Sequence, residues 1–104
     1  MRRVLIGDLM AAAAVLPSAP RGQRAQLAQK IVTEADAAHR YFKRFGRPHP
    51  LWGDGSLLTR ALASPRRIAP DLADSDFLHL FALMTLALAH HKSPQGRDFN
   101  LPVL

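Results

Sequence analysis

Arg21–Arg47, RGQRAQLAQKIVTEADAAHRYFKRFGR, decides the fold. Leu27, Ile31, Ala35, Ala38, Phe42 and Phe45 recur in it at steps of three or four, the spacing that lines side chains along one face of a helix. Ser18 with Pro20 behind it suits a helix start, and Gly46 followed by Pro48 suits a stop. At about 1.5 Å per residue such a helix is roughly 40 Å long. That exceeds what a domain of this size needs to cover itself, so the helix is expected to project toward a partner.

The flanking segments supply the rest of a helical domain. Met1–Leu16, MRRVLIGDLMAAAAVL, pairs two arginines with an apolar run, the outline of a signal peptide. Asp8 interrupts that run, and Pro20 follows the one small-residue cleavage position, Ala19. The segment instead reads as a packing helix ended by Pro17, with Val4, Leu5, Leu9, Ala12, Ala13 and Leu16 on one face. Beyond the long helix, PHPLWGDGS at Pro48–Ser56 is a shaped loop in which Trp52 anchors to the core, and Ser56 caps a short helix, Leu57–Ala63. Ser64–Asp74 is a second connector. Asp74 or Ser75 then caps a final helix to Lys92 that is apolar nearly all round, a pattern that calls for burial on several sides. Ser93–Leu104 has no period and reads as an extended tail.

With 104 residues the chain makes one domain, residues 1–92, followed by the tail. It has no cysteine, which removes disulfides and thiolate chemistry and is compatible with a cytoplasmic address. No apolar run is long enough for a membrane span. The net charge of +6 is uneven: residues 1–67 carry 12 Lys/Arg against 4 acids, and residues 68–104 carry 2 against 4. The basic part suits an acidic partner, nucleic acid above all.

Candidate chemistry is sparse. His90 and His91 are adjacent and so point to different sides of a helix, and no metal-binding spacing occurs. WGDGS lacks the lysine and the preceding strand of a phosphate loop. His49, Asp54 and Ser56 are close in sequence, but turn-forming and capping roles explain all three. No catalytic residue, metal or cofactor is therefore assigned. Arg40, Lys43, Arg44 and Arg47, spaced i, i+3, i+4 and i+7, form a basic stripe near the end of the long helix. Such a stripe can meet phosphates by charge, with little base discrimination, although the helix dipole also favours cations there. Arg21 and Arg24 could join it if neighbouring subunits bring those ends together.

At Gly46–Ala63, GRPHPLWGDGSLLTRALA, the chain resembles the phage-type small terminase subunits found as the first protein of alphaproteobacterial gene-transfer-agent clusters, and the likeness in helix order runs from about Arg2 to His91. The resemblance implies a non-enzymatic DNA-packaging protein that assembles into rings through helical hairpins, binds double-stranded DNA, and recruits the large terminase subunit carrying ATPase and nuclease. It departs from the family in lacking a helix-turn-helix domain ahead of the long helix, so DNA binding is expected to be weak and indifferent to sequence.

The expectation is an all-α protein in which the long helix and the last helix form an antiparallel hairpin, flanked by the N-terminal and short helices and assembling as an oligomer. Contact between subunits is expected at Leu27, Ile31, Phe42, Phe77, Leu80, Phe81, Met84 and Leu88, and large-subunit contact at Leu101, Val103 and Leu104. The alternative is a helical regulatory or adaptor protein that binds another protein and touches DNA only incidentally.

Overall fold

The computed structural model describes residues 1–65 and 68–93. Its four helices are α1 (Ile6–Ala13), α2 (Arg24–Phe45), α3 (Leu57–Leu62) and α4 (Ser75–Lys92), with short 3-10 turns at Leu16–Ser18 and Arg21–Gln23 between the first two. The fold class is all-α as expected, with the long helix packed on the last and with α1 and α3 against them. Leu101, Val103 and Leu104 lie outside the described residues.

Each helix boundary has a local cause. Asp8, the acid that breaks the apolar N-terminal run, sits in the first turn of α1 and accepts a hydrogen bond from the Leu5 N–H at 3.4 Å. Its charge there complements the positive end of the helix dipole. Pro17 takes its place in the 3-10 turn that follows. The long helix starts later than its pattern suggests, because Arg21–Gln23 winds as a 3-10 turn and no side chain caps Arg24. It ends at Gly46, whose φ of 69° lets its N–H close back on the Phe42 carbonyl at 2.8 Å. Ser56 caps α3 by accepting from the Thr59 N–H at 3.1 Å, and Asp74 caps α4 by accepting from the Asp76 N–H at 3.2 Å.

Two features differ from expectation. At 22 residues α2 is about 33 Å long. It is shorter than the roughly 40 Å expected, because Arg21–Gln23 winds as a 3-10 turn and Gly46 ends the helix before Arg47. The second difference is direction. His91, near the end of α4, meets Asp36 in the second half of α2, whereas Asp74, Asp76 and His79 at the start of α4 line a groove with Arg21 and Arg24 at the start of α2. The two helices thus run parallel, not as an antiparallel hairpin. The cause is the intervening segment: Gly55 lies on His39, and Arg60 of α3 reaches back to Glu34, so the chain has already returned along α2 before α4 begins.

The core follows the periodicity of α2, shifted by part of a turn. Ala28, Ile31, Val32, Ala35 and Ala38 are buried, as are Phe77, Leu80, Met84 and Ala87 of α4. The alanines keep side-chain bulk low where helices approach. Ala12–Leu16, the end of α1 and the turn after it, are fully enclosed, packed by α1's contacts with α3 and α4; α1 touches α2 only lightly. Leu5 and Phe45 were expected on inward faces but are 56% and 53% exposed. Leu5 precedes the first turn of α1, and Phe45 lies on the last turn of α2, where the core has already ended.

Candidate nucleic-acid interface

The C-terminal half of α2 carries the chemistry. Arg40, Lys43, Arg44 and Arg47 are all exposed, but they do not share one helical face: Arg40 and Arg44 lie on the side of α2 opposite the buried alanines, Lys43 lies a quarter turn or less from the buried face, and Arg47 follows the left-handed Gly46 that ends the helix. Arg40 makes a long contact of 3.3 Å with Asp36, and its side chain remains 70% exposed. The Arg44 guanidinium lies 5.6 Å from the ring centre of Phe45.

The N-terminal segment adds cations to this end. Arg2 lies 5.0 Å from the ring centre of Phe42, and its Nε donates to the Asp54 carbonyl at 2.7 Å. Phe42, expected to face another subunit, is instead half-buried beneath Arg2. The acids nearby are engaged. Asp36 takes the Met1 amine at 3.1 Å on one oxygen, and His91 Nε2 at 2.9 Å on the other. Burial alone would push its carboxyl up, but these hydrogen bonds and the surrounding positive charge hold it below the usual carboxylate range. His39 records the same field. Burial first, then the charges of the Met1 amine, Lys43 and Arg2, push its imidazole below the ordinary value, and its buried Nδ1 has no hydrogen-bond partner among the described residues.

Beside the basic stripe lies a ladder of rings. Phe45 and Tyr41 are 4.6 Å apart between centroids, Tyr41 and His49 meet edge-on at 5.0 Å, and His49 stacks on Trp52 at 4.5 Å with planes 7° apart. The PHPLWGDGS loop is folded to hold them. His49 and Gly53 exchange two backbone hydrogen bonds, of 2.8 and 3.1 Å, and His49 Nδ1 accepts from the backbone N–H groups of Leu51 and Trp52. Asp54 Oδ1 accepts from the Ser56 N–H at 2.9 Å and the Thr59 hydroxyl at 3.0 Å. Those hydrogen bonds, with the first from the Ser56 backbone, hold the Asp54 carboxyl below its ordinary value against the opposing effect of burial. His49, Asp54 and Ser56 thus act in turns and caps, as their spacing predicts.

The remaining predicted site residues separate into groups. Arg21 and Arg24 sit at the opposite end of α2, about 24 Å along the axis from Arg40, beside Asp74 and Asp76 in a groove. Arg24 is further tied to the Ala19 carbonyl at 3.1 Å. Within one chain they do not join the basic stripe. Of the residues assigned to subunit contact, Ile31, Phe77, Leu80 and Met84 are enclosed in the chain's own core, and Leu27, Phe81 and Leu88 pack half-buried around it. The large apolar side chains that face solvent are others, including Leu5, Ile6, Leu51, Leu62 and Leu78.

Sequence reasoning missed the ring ladder. Its readable signal is the Tyr41–Phe45 pair at i, i+4, which side-chain geometry brings together on any helix; His49 and Trp52 join only through the loop's fold. It also missed the buried ion pair of Arg60 with Glu34, Nε to Oε1 at 2.7 Å, which Ser64 completes at 2.8 Å. Among the described residues no group of three or more His, Asp or Glu is placed to hold a metal ion, and no helix is long and apolar enough to cross a membrane.

A family model described as a domain of unknown function (DUF7742) matches residues 2–88. No curated protein and no solved structure matches the chain.

Proposed function

The chain belongs to the family described as a domain of unknown function (DUF7742), and from the chemistry of its basic end we propose that it is a non-enzymatic, small-terminase-like DNA-packaging adaptor. It oligomerises, holds double-stranded DNA weakly through phosphates, and recruits a large ATPase and nuclease subunit. The observation that carries this reading is the stripe of Arg40, Lys43, Arg44 and Arg47, exposed together at an end whose nearby carboxylate, Asp36, is already taken by Met1 and His91. Exposed cations release counterions when they meet phosphates, which gives affinity without reading bases. The resemblance at Gly46–Ala63 supplies the packaging role, and the exposed apolar groups on α1, α3 and α4 supply surface for self-association.

The test is a 30-base-pair duplex titrated by fluorescence anisotropy across a salt series, with native mass measured in parallel. The variant with Arg40, Lys43, Arg44 and Arg47 all changed to Ala is expected to flatten the salt slope by up to about 3.6 per engaged protomer, at roughly 0.9 per phosphate contact, while the native mass stays that of a closed oligomer of roughly seven to twelve subunits. Unchanged binding by the variant removes the phosphate face, and a stable monomer removes the ring.

A second reading has its own support. An open apolar groove of about 300 Å³ between α1 and α3, lined by Met10, Ala11, Val15, Ala61 and Leu62, suits an adaptor that binds another protein and meets DNA only incidentally. Salt-independent retention of a protein partner by a chain without duplex affinity would favour it.

A further inference from the structure

Phosphate contact by the stripe leaves the ring ladder unused, and the ladder is the more specific feature. Phosphate neutralisation needs only cations. Here Phe45, Tyr41, His49 and Trp52 follow one another at centroid steps of 4.5 to 5.0 Å. Phe45 is 53% exposed and the neighbouring Leu51 69%, while Tyr41, His49 and Trp52 keep part of their surface in solvent. A helix turns about 100° per residue, so Arg40 and Arg44 lie roughly a quarter turn around α2 from Tyr41 and Phe45. Arg44 already lies against the Phe45 ring.

We propose that this end of the protein binds unpaired nucleic acid in preference to duplex, with exposed bases packing on the Phe45–Trp52 ring ladder while Arg44 and Arg47 hold the backbone phosphates. The inference rests on the phosphate-binding reading and deepens it by naming the form of nucleic acid the site selects. A cationic strip beside aromatic rings is the combination that single-strand binders use, because every base has a π-face and stacking tolerates any sequence. Base pairs in a duplex are stacked on each other and offer only their edges and backbone. The rings are also fixed in advance: the His49 hydrogen bonds and the Gly53 bridge set the loop, so little ordering is left to be done on binding. An apolar or proline-rich peptide would match the rings but would gain nothing from the exposed cations beside them, and charge complementarity therefore selects nucleic acid.

The loop contains the chain's only tryptophan, so Trp52 fluorescence reports occupation. The probes are a 15-nucleotide oligothymidine, a duplex of the same length, and a 15-unit abasic deoxyribose phosphate with the same charge and no bases. The oligothymidine is expected to quench Trp52 and to bind at least about tenfold tighter than either control at equal salt. Phe45→Ala, at a position too exposed to matter for folding, should lower oligothymidine affinity about tenfold, the factor corresponding to about 1.4 kcal/mol, and leave duplex and abasic affinity within about twofold. Equal binding of oligothymidine and abasic polymer, or a Phe45→Ala loss shared by all three probes, overturns the proposal while leaving phosphate binding intact. Failure of all three probes to bind overturns it together with the DNA reading. Quenching by a proline-rich peptide in place of oligothymidine assigns the ladder to a protein partner and overturns it as well.

Discussion

Replacing Gly55 by alanine tests whether the PHPLWGDGS loop is held against α2 as rigidly as its geometry requires. Gly55 has a φ of 97°, where a side chain costs about 1–2 kcal/mol. A Cβ there would also strike the Cα of His39 and come within 2.6 Å of its Cβ and 2.8 Å of its N. Those atoms belong to the middle of a long helix and cannot move aside, so the loop must lift, at an overpacking cost of about 1–3 kcal/mol. The expected loss is therefore roughly 2–5 kcal/mol. Gly46→Ala provides the comparison: φ is also positive, at 69°, but nothing lies within 4 Å of the added carbon. It should lose only the conformational part, about 1–2 kcal/mol. Urea unfolding at fixed protein concentration, followed by Trp52 fluorescence and by circular dichroism, measures both. If Gly55→Ala loses no more than Gly46→Ala, the close approach of loop to helix is not a constraint, and the fixed ring ladder loses its physical basis.

Two more perturbations address the polar joints between helices. Arg60→Ala leaves Glu34 without its partner in a nearly enclosed position and should cost about 3–5 kcal/mol in thermal or urea unfolding, whereas Arg60→Met combined with Glu34→Gln should recover most of the loss. Asp36 ionises more readily in the folded chain than in the unfolded one, so its contribution to stability is fully present above about pH 4 and is lost as pH falls through its lowered folded value. Acid titration of unfolding should therefore show a shallower acid limb for Asp36→Asn than for the parent chain, and an identical slope would mean that Asp36 is not the coupled group.

Periodicity made most of this architecture readable in advance, and its failures have local causes. The spacing of Ile31, Ala35 and Ala38 identifies the buried side of α2, and Asp74 and Ser56 mark the starts of α4 and α3, because those signals act within one or two turns. Phe45 misled because a periodic stripe carries no information about where the opposing surface ends. The sense of α4 was hidden because it depends on where the preceding connector delivers the chain, and Ser64–Asp74 contains no signal for that. The basic stripe is legible as charge at helical spacing. Its neighbours Arg2 and Trp52 are not, since Arg2 meets Phe42 of α2 through tertiary packing alone and Trp52 joins the rings only through the fold of its loop.

The way α1 is packed has a consequence for how the protein comes into being. This alanine-rich helix finds its principal companions in α3 and α4 and hardly any in α2, so it depends on elements that follow it much later in the chain. At about 5–20 residues per second, roughly 4–15 s separate the synthesis of Leu16 from that of Lys92. During that interval Ala12–Leu16, fully enclosed in the finished fold, lacks the part of its cover that α4 supplies. Helix-by-helix maturation therefore leaves the packing of α1 unfinished until α4 arrives.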